Sequence, residues 1–156
     1  GRTGIYSKKT TLKIPIIIDI GSPAISGNAS FGKTAVNKKN PANATGVITS
    51  VEIYANEAMT GVKVATFYIV SGNILSTRDY DTIGDVPIGY SKHTVSINVN
   101  AGDYIGIYCG TGKVEAYTPD YTGMWYWAGD GIPCSEKTFS PFAEYIIRLY
   151  GTGEGS

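Results

Sequence analysis

The feature that most constrains this chain is its punctuation. Gly, Pro, Asn, Asp and Ser recur every 8–12 residues, and the stretches between them are short and rich in Val, Ile, Thr and Tyr. Such stretches are too short to bury a helical stripe, whereas β-branched and aromatic side chains fit a pleated, half-buried surface. The spacing predicts strands at Thr11–Asp19, Ala29–Val36, Val47–Ala55, Val62–Val70, Ile74–Tyr80, His93–Val99, Tyr104–Cys109, Lys113–Tyr117, Gly123–Ala128 and Tyr145–Tyr150. No helix-period segment or internal repeat competes with them. The expectation is an all-β chain: a two-sheet antiparallel β-sandwich, jelly-roll-like, with an extended N-terminal arm and strand.

Alternation within the strands assigns faces. Val47, Thr49, Val51, Ile53 and Ala55 share one face, with Ile48, Ser50, Glu52 and Tyr54 opposite; His93, Val95, Ile97 and Val99 likewise oppose Thr94, Ser96 and Asn98. These strands should keep one wet face. Val62–Val70 is apolar on both faces and should lie in mid-sheet or under a partner.

The two ends break the pattern. Pro15 has no N–H to give, which confines Thr11–Asp19 to a sheet edge or a bulge. A bare edge of isoleucines invites aggregation, so it must pair with its own sheet or with that of a neighbouring subunit. Residues 1–21 therefore read as an arm and edge strand, with Lys8, Lys9, Leu12, Ile14, Ile16, Ile17 and Ile18 as candidate subunit contacts, and residues 22–156 as one β-sandwich domain. The formal net charge is zero, yet residues 1–40 carry seven bases against one acid (+6) and residues 41–156 six bases against twelve acids (−6). The basic segment either lies on its own acidic body or meets that of the next copy. Gly151–Ser156 has the composition of a loose tail, which would become ordered only against a neighbour. The chain begins at Gly1 rather than Met, which implies removal of an initiator Met or a leader.

Several function classes find no support. Zero net charge argues against a dedicated nucleic-acid binder. No run of 18 apolar residues exists for a membrane span, and Ile14–Ile18 lacks the layout of a signal peptide. His93 is the single histidine, without a nucleophile motif or a second histidine for zinc. Glu52, Asp79, Asp81, Glu115 and Asp130 could supply a carboxylate pair, but no spacing selects one. A non-enzyme without cofactor or metal is expected. Asp79-Tyr80-Asp81 with Gly84-Asp85 is a weak calcium pattern that turn chemistry explains equally well, and Asn28 and Asn43 sit in glycosylation acceptor triplets. Cys109 and Cys134 could form a disulfide, worth about 3–4 kcal/mol by chain entropy, or remain two buried thiols.

Charged residues make up 17% of the chain, below the roughly 25% of ordinary soluble domains, and 12 of its aromatic residues are Tyr. Such quiet surfaces suit contact with proteins or glycans. Both tryptophans stand in Gly123-Met-Trp-Tyr-Trp-Ala128, where Trp125 and Trp127 should share a face. They read first as core or subunit contact. Alternatively, Trp125, Trp127, Tyr117 and Tyr121 form a glycan-stacking surface, with Asp120 or Asp130 binding hydroxyls.

Residues Val47–Gly153, through Ala101-Gly-Asp-Tyr-Ile-Gly-Ile-Tyr108, the Trp-Tyr-Trp strand, Gly129-Asp-Gly-Ile-Pro-Cys134 and Leu149-Tyr-Gly-Thr-Gly153, resemble a loosely defined group of β-sandwich domains in uncharacterised proteins of bacteriophages and thermophile metagenomes. The resemblance carries no catalytic motif and implies a structural or adhesive role on a virion or exposed surface. The expectation is a non-enzymatic structural subunit of a self-assembling virion (capsid, decoration or tail) or extracellular filament. Its partners would be further copies of itself and other structural proteins of the same particle. The alternative is a glycan-binding β-sandwich module, lectin-like, facing a surface glycan.

Overall fold

The computed structural model describes residues 14–156, and every regular element among them is a β-strand. In chain order these are β1 (Ile17–Gly21), β2 (Ala29–Asn37), β3 (Gly46–Ser71), β4 (Ile74–Val86), β5 (Gly89–Val99), β6 (Tyr104–Tyr117), β7 (Met124–Trp127), β8 (Lys137–Thr138), β9 (Ser140–Phe142), β10 (Ile146–Ile147) and β11 (Leu149–Gly155). All pairings are antiparallel and join one sheet in the order β1-β11-β3-β6-β2-β7-β9, with β4 and β5 also on β3, β8 on β4 and β10 on β6. The arm residues Lys8, Lys9 and Leu12 lie outside the described residues.

The central finding is the length of β3. Asn56-Glu57 and Gly61 read in the sequence as a break between two strands, but β3 runs for 26 residues and absorbs them as bulges. Its first part, Gly46–Ala55, pairs with β11 and β5; its second, Met59–Ser71, pairs with β6 and β4. The register slips between Ala55 and Thr60 on β3 and between Phe31 and Lys33 on β2, so the irregularities line up across neighbouring strands. Along that line β6 crosses so close that a Cβ on Gly112 would lie 2.2 Å from the Ala58 carbonyl oxygen.

The bulges fold the sheet over. Both β4 and β5 run antiparallel to β3, yet they also meet each other antiparallel: Asp79 faces Asn98 and Asp81 faces Ser96. That is only achieved if β3 doubles back between the two pairings. The arms then enclose one core, to which the first contributes Ile18, Ile20, Ile48 and Ile53, and the second Val62, Val64, Ile105 and Ile107. The all-β antiparallel class is as expected. The two layers, however, are arms of one curled sheet, not the separate sheets of a jelly roll.

A second cluster occupies the outer face of the second arm, where Val36, Ala65, Phe67, Leu75 and Trp125 are covered by Ile132 and Phe139. Val62–Phe67 is accordingly shielded on both faces, apart from partly exposed Lys63, while Tyr68, Ile69 and Val70 stand exposed at the β3–β4 hairpin. On β5, Val95, Ile97 and Val99 are buried as the alternation predicts. On β3 one face differs: a register slip between Ile48 and Ser50 turns Ile48 inward beside Val51, Ile53 and Ala55, and leaves Val47 and Thr49 outside.

The C-terminal strand and β1 are held in place by the chain itself. The glycine-rich segment expected to be a loose tail is β11, inserted between β1 and β3. Its composition follows from crowding: a Cβ on Gly153 would lie 1.9 Å from the Val47 carbonyl oxygen. β1 pairs with β11, and its buried Ile18 and Ile20 contribute about 1.5–3 kcal/mol each.

The outer edge of β1 is closed by side chains. Gly155 N–H donates to the Ile16 carbonyl, so even-numbered residues of this segment face β11 and odd-numbered ones face outward. The Asn43 side chain accepts from the Asp19 N–H (2.9 Å) and donates to the Ile17 carbonyl (2.9 Å), while Asn40 donates to the Gly21 carbonyl and accepts the Gly21 N–H on its own carbonyl. The edge expected to seek a partner strand is thereby occupied.

Candidate functional site

The aromatic residues singled out in the sequence do not form one platform. Trp125 is 3% exposed; its indole N–H donates to the Asn73 side chain, and Tyr104 packs edge-on at 5.1 Å. Trp127, at the strand end, is 37% exposed and lines a groove of about 590 Å³ with Asp130 and Glu136, but the Lys137 ammonium lies 3.6 Å from its ring centroid. None of the other three aromatics lines that groove. Arg148 stacks on Tyr117, and Tyr121 stands exposed in the loop after β6. Asp120 and Asp130 are paired with Lys39 and Lys63. The Trp-Tyr-Trp strand is wall, with Trp127 at its rim.

The candidate carboxylates are also engaged. Asp79 and Asp81 each accept a backbone N–H from β5, at Asn98 and Ser96, and one from the following residue, which joins β4 to β5 and accounts for the calcium-like pattern. Glu115 is buried and accepts from Gly27 N–H and the Asn56 amide. Among the described residues no group of three potential metal ligands gathers. His93 bonds Ser91, and burial pushes its imidazole below the usual histidine range. Cys109 and Cys134 are free thiols in this structure, and burial pushes the Cys109 thiol up. Asn28 and Asn43 use their amides structurally, Asn28 bridging to both backbone groups of Thr118.

A larger concavity than the Trp127 groove lies elsewhere. It is a groove of about 770 Å³ on the outer face of the first arm, floored by β1, β11, β3 and β5 and walled by the loop Pro23–Ser26 with Lys39 and Asn40. Alternation on the wet face of β3 points Glu52 and Tyr54 outward. Register places Tyr90 opposite Tyr54 and Tyr150 opposite Glu52, so three tyrosines and a carboxylate meet from strands far apart in sequence. Asp19 completes the floor from β1.

Hydrogen bonds hold this floor in place. Tyr90 Oη donates to Glu52 (2.8 Å) and Tyr150 Oη to Asp19 (3.1 Å). The Glu52 bond raises the Tyr90 phenol above its usual value; burial, then the Asp19 bond, raises Tyr150. Both phenols stay protonated donors at neutral pH. The wall is anchored too: Ser22 N–H donates to the Leu149 carbonyl, and the fully buried Asn37 donates to Ser22 Oγ and the Ile147 carbonyl. Lys39 is drawn aside to Asp120. Burial alone would raise the Asp120 carboxyl, but Lys39 and Thr122 hold it below the carboxylate range.

Sequence reasoning missed this groove because its tyrosines are scattered at 54, 90 and 150. The available signal was the outward pairing of Glu52 and Tyr54 on one strand. Comparison with protein-family models, curated proteins and solved structures finds no match to this chain.

Proposed function

We propose that the chain is a non-enzymatic structural subunit of a self-assembling virion or extracellular filament, in which the segment around β1 contacts a neighbouring copy. The observation that carries this reading is exposed aliphatic surface at the edge of the sheet: Ile14, Ile16 and Ile17 are 83%, 51% and 62% exposed. Aliphatic surface on three neighbouring residues, next to a backbone edge already satisfied, favours contact through side chains over strand addition. The charge split adds to it. Of the bases in residues 1–40, Lys39 already pairs with Asp120 on its own body and Lys33 donates to the Gly110 carbonyl. Arg2, Lys8, Lys9 and Lys13 lie outside the described residues.

The test is the native particle mass, by light scattering, of the full chain and of Ile14→Lys/Ile16→Lys/Ile17→Lys. These substitutions spare Ile18 and Ile20, whereas deleting residues 1–21 would strip β1 from the sheet. A large particle that becomes a folded monomer in the variant supports the reading. A monomer in both, or an unchanged large particle, discards it. A glycan-binding role is favoured by a separate observation, the tyrosine-floored groove.

A further inference from the structure

We propose that the groove floored by Tyr54, Tyr90 and Tyr150 is a carbohydrate site that takes a neutral pyranose-containing glycan. Four observations converge on this ligand class. First, its surface is dominated by ring faces and aliphatic groups: Tyr90 is 52% exposed and Ile25, on the facing wall, 54% exposed, though neither belongs to the core. A pyranose presents a matching apolar face of C–H groups, and its stacking on an aromatic ring combines buried area with the attraction of that ring's negative face for positive edges.

Second, the groove presents two carboxylates as acceptors. Among the described residues, Glu52 Oε1 and Asp19 Oδ2 each accept one tyrosine hydroxyl, and the second oxygen of each carboxylate has no side-chain donor. Sugar hydroxyls can donate to these oxygens and accept from the hydroxyls of Tyr54 and Ser26 that also line the groove. Third, the lysine lining the groove is held by Asp120, so among the described residues its two carboxylates have no basic partner, which disfavours anionic ligands. Fourth, Tyr90 and Tyr150 are held by groups of the chain itself, through their hydroxyl bonds to Glu52 and Asp19, and the wall is clamped at Ser22. Preorganisation of this kind lowers the ordering cost of a weak, polyol-type interaction. The groove's volume also falls within the about 300–1,000 Å³ of small-ligand sites.

The experiment presents the labelled full chain to an array of hexose, hexosamine, deoxyhexose and pentose glycans, neutral and sulfated. Dissociation constants for the best neutral oligosaccharide, methylguanidinium and tetramethylammonium are then measured by NMR titration. Neutral glycans are expected to bind, and Tyr90→Ala to weaken them by about tenfold, the worth of one aromatic stacking contact. Tyr90→Phe, which keeps the ring and loses its anchor, should fall between Tyr90→Ala and the native chain, and Trp127→Ala should leave affinity unchanged. Tyr90 is largely exposed, so these variants should keep the native fold, which circular dichroism checks. Three results overturn the proposal: no neutral glycan bound on the array; binding that survives Tyr90→Ala and is lost in Trp127→Ala; or tighter binding of the cations than of any neutral glycan. The last would make the groove an aromatic cage for basic side chains. All of these outcomes are independent of whether the chain assembles.

Discussion

Replacing Asn43 by Ala tests how the edge of β1 is closed. The substitution removes two hydrogen bonds, to the Asp19 N–H and the Ile17 carbonyl, both 2.9 Å long and both at the solvent boundary. A net bond contributes about 0.5–1.5 kcal/mol, and exposure places these in the lower half, so about 1–2 kcal/mol should be lost in total. For a domain of this size that corresponds to a fall in melting temperature of about 2–8 °C. The loss has an address. Hydrogen exchange should accelerate at the Asp19 amide and much less at Ile18 and Ile20, whose N–H groups face β11 and are untouched. Asn40 is tested by Gly, because its φ of 55° would add strain to an alanine. An Asn43→Ala chain with unchanged melting temperature and unchanged Asp19 exchange would refute the reasoning that this side chain stands in for a missing strand.

Gly153→Ala should destabilise the chain by more than about 3 kcal/mol in urea denaturation, since its Cβ would meet backbone that cannot move without parting β11 from β3; Gly72→Ala, with open space around it, should cost only about 1 kcal/mol for its positive φ. His93 has a folded pKa below its unfolded value near 6.5, so its contribution is present above that pH and lost as pH falls through the folded pKa. Urea midpoints measured from pH 8 to pH 5 should therefore decline, and less steeply in His93→Gln. In the native chain a thiol reagent should label half-buried Cys134 well before Cys109, and in denaturant both should react alike; native labelling of Cys109 first would contradict its burial.

Strand identity was legible wherever alternation and β-branching agreed, as on β5 and in the doubly buried Val62–Phe67. Continuity was not. Asn56-Glu57 and Gly61 carry the chemistry of a turn, and only the partner strands decide that the residues become bulges, so the folding of one sheet onto itself is a non-local property. The same holds for Gly151 and Gly153: glycine signals freedom when read locally, while here it marks backbone pressed against backbone. For the site, Trp125 was legible as wall from its size and strand, but the tyrosine groove depends on register between strands whose residues are up to 96 positions apart, from Tyr54 to Tyr150.

The placement of β11 also governs when the molecule can form. β1 and β3 do not touch as neighbours, and the strand that joins them, Leu149–Gly155, is translated later than either. On a ribosome the emerging chain therefore holds its isoleucine-rich strand unpaired until those residues have cleared the exit tunnel. The first arm closes only once that strand has emerged. A chaperone that shields Ile14–Ile20 during that interval would thus change yield without altering a single contact of the finished fold.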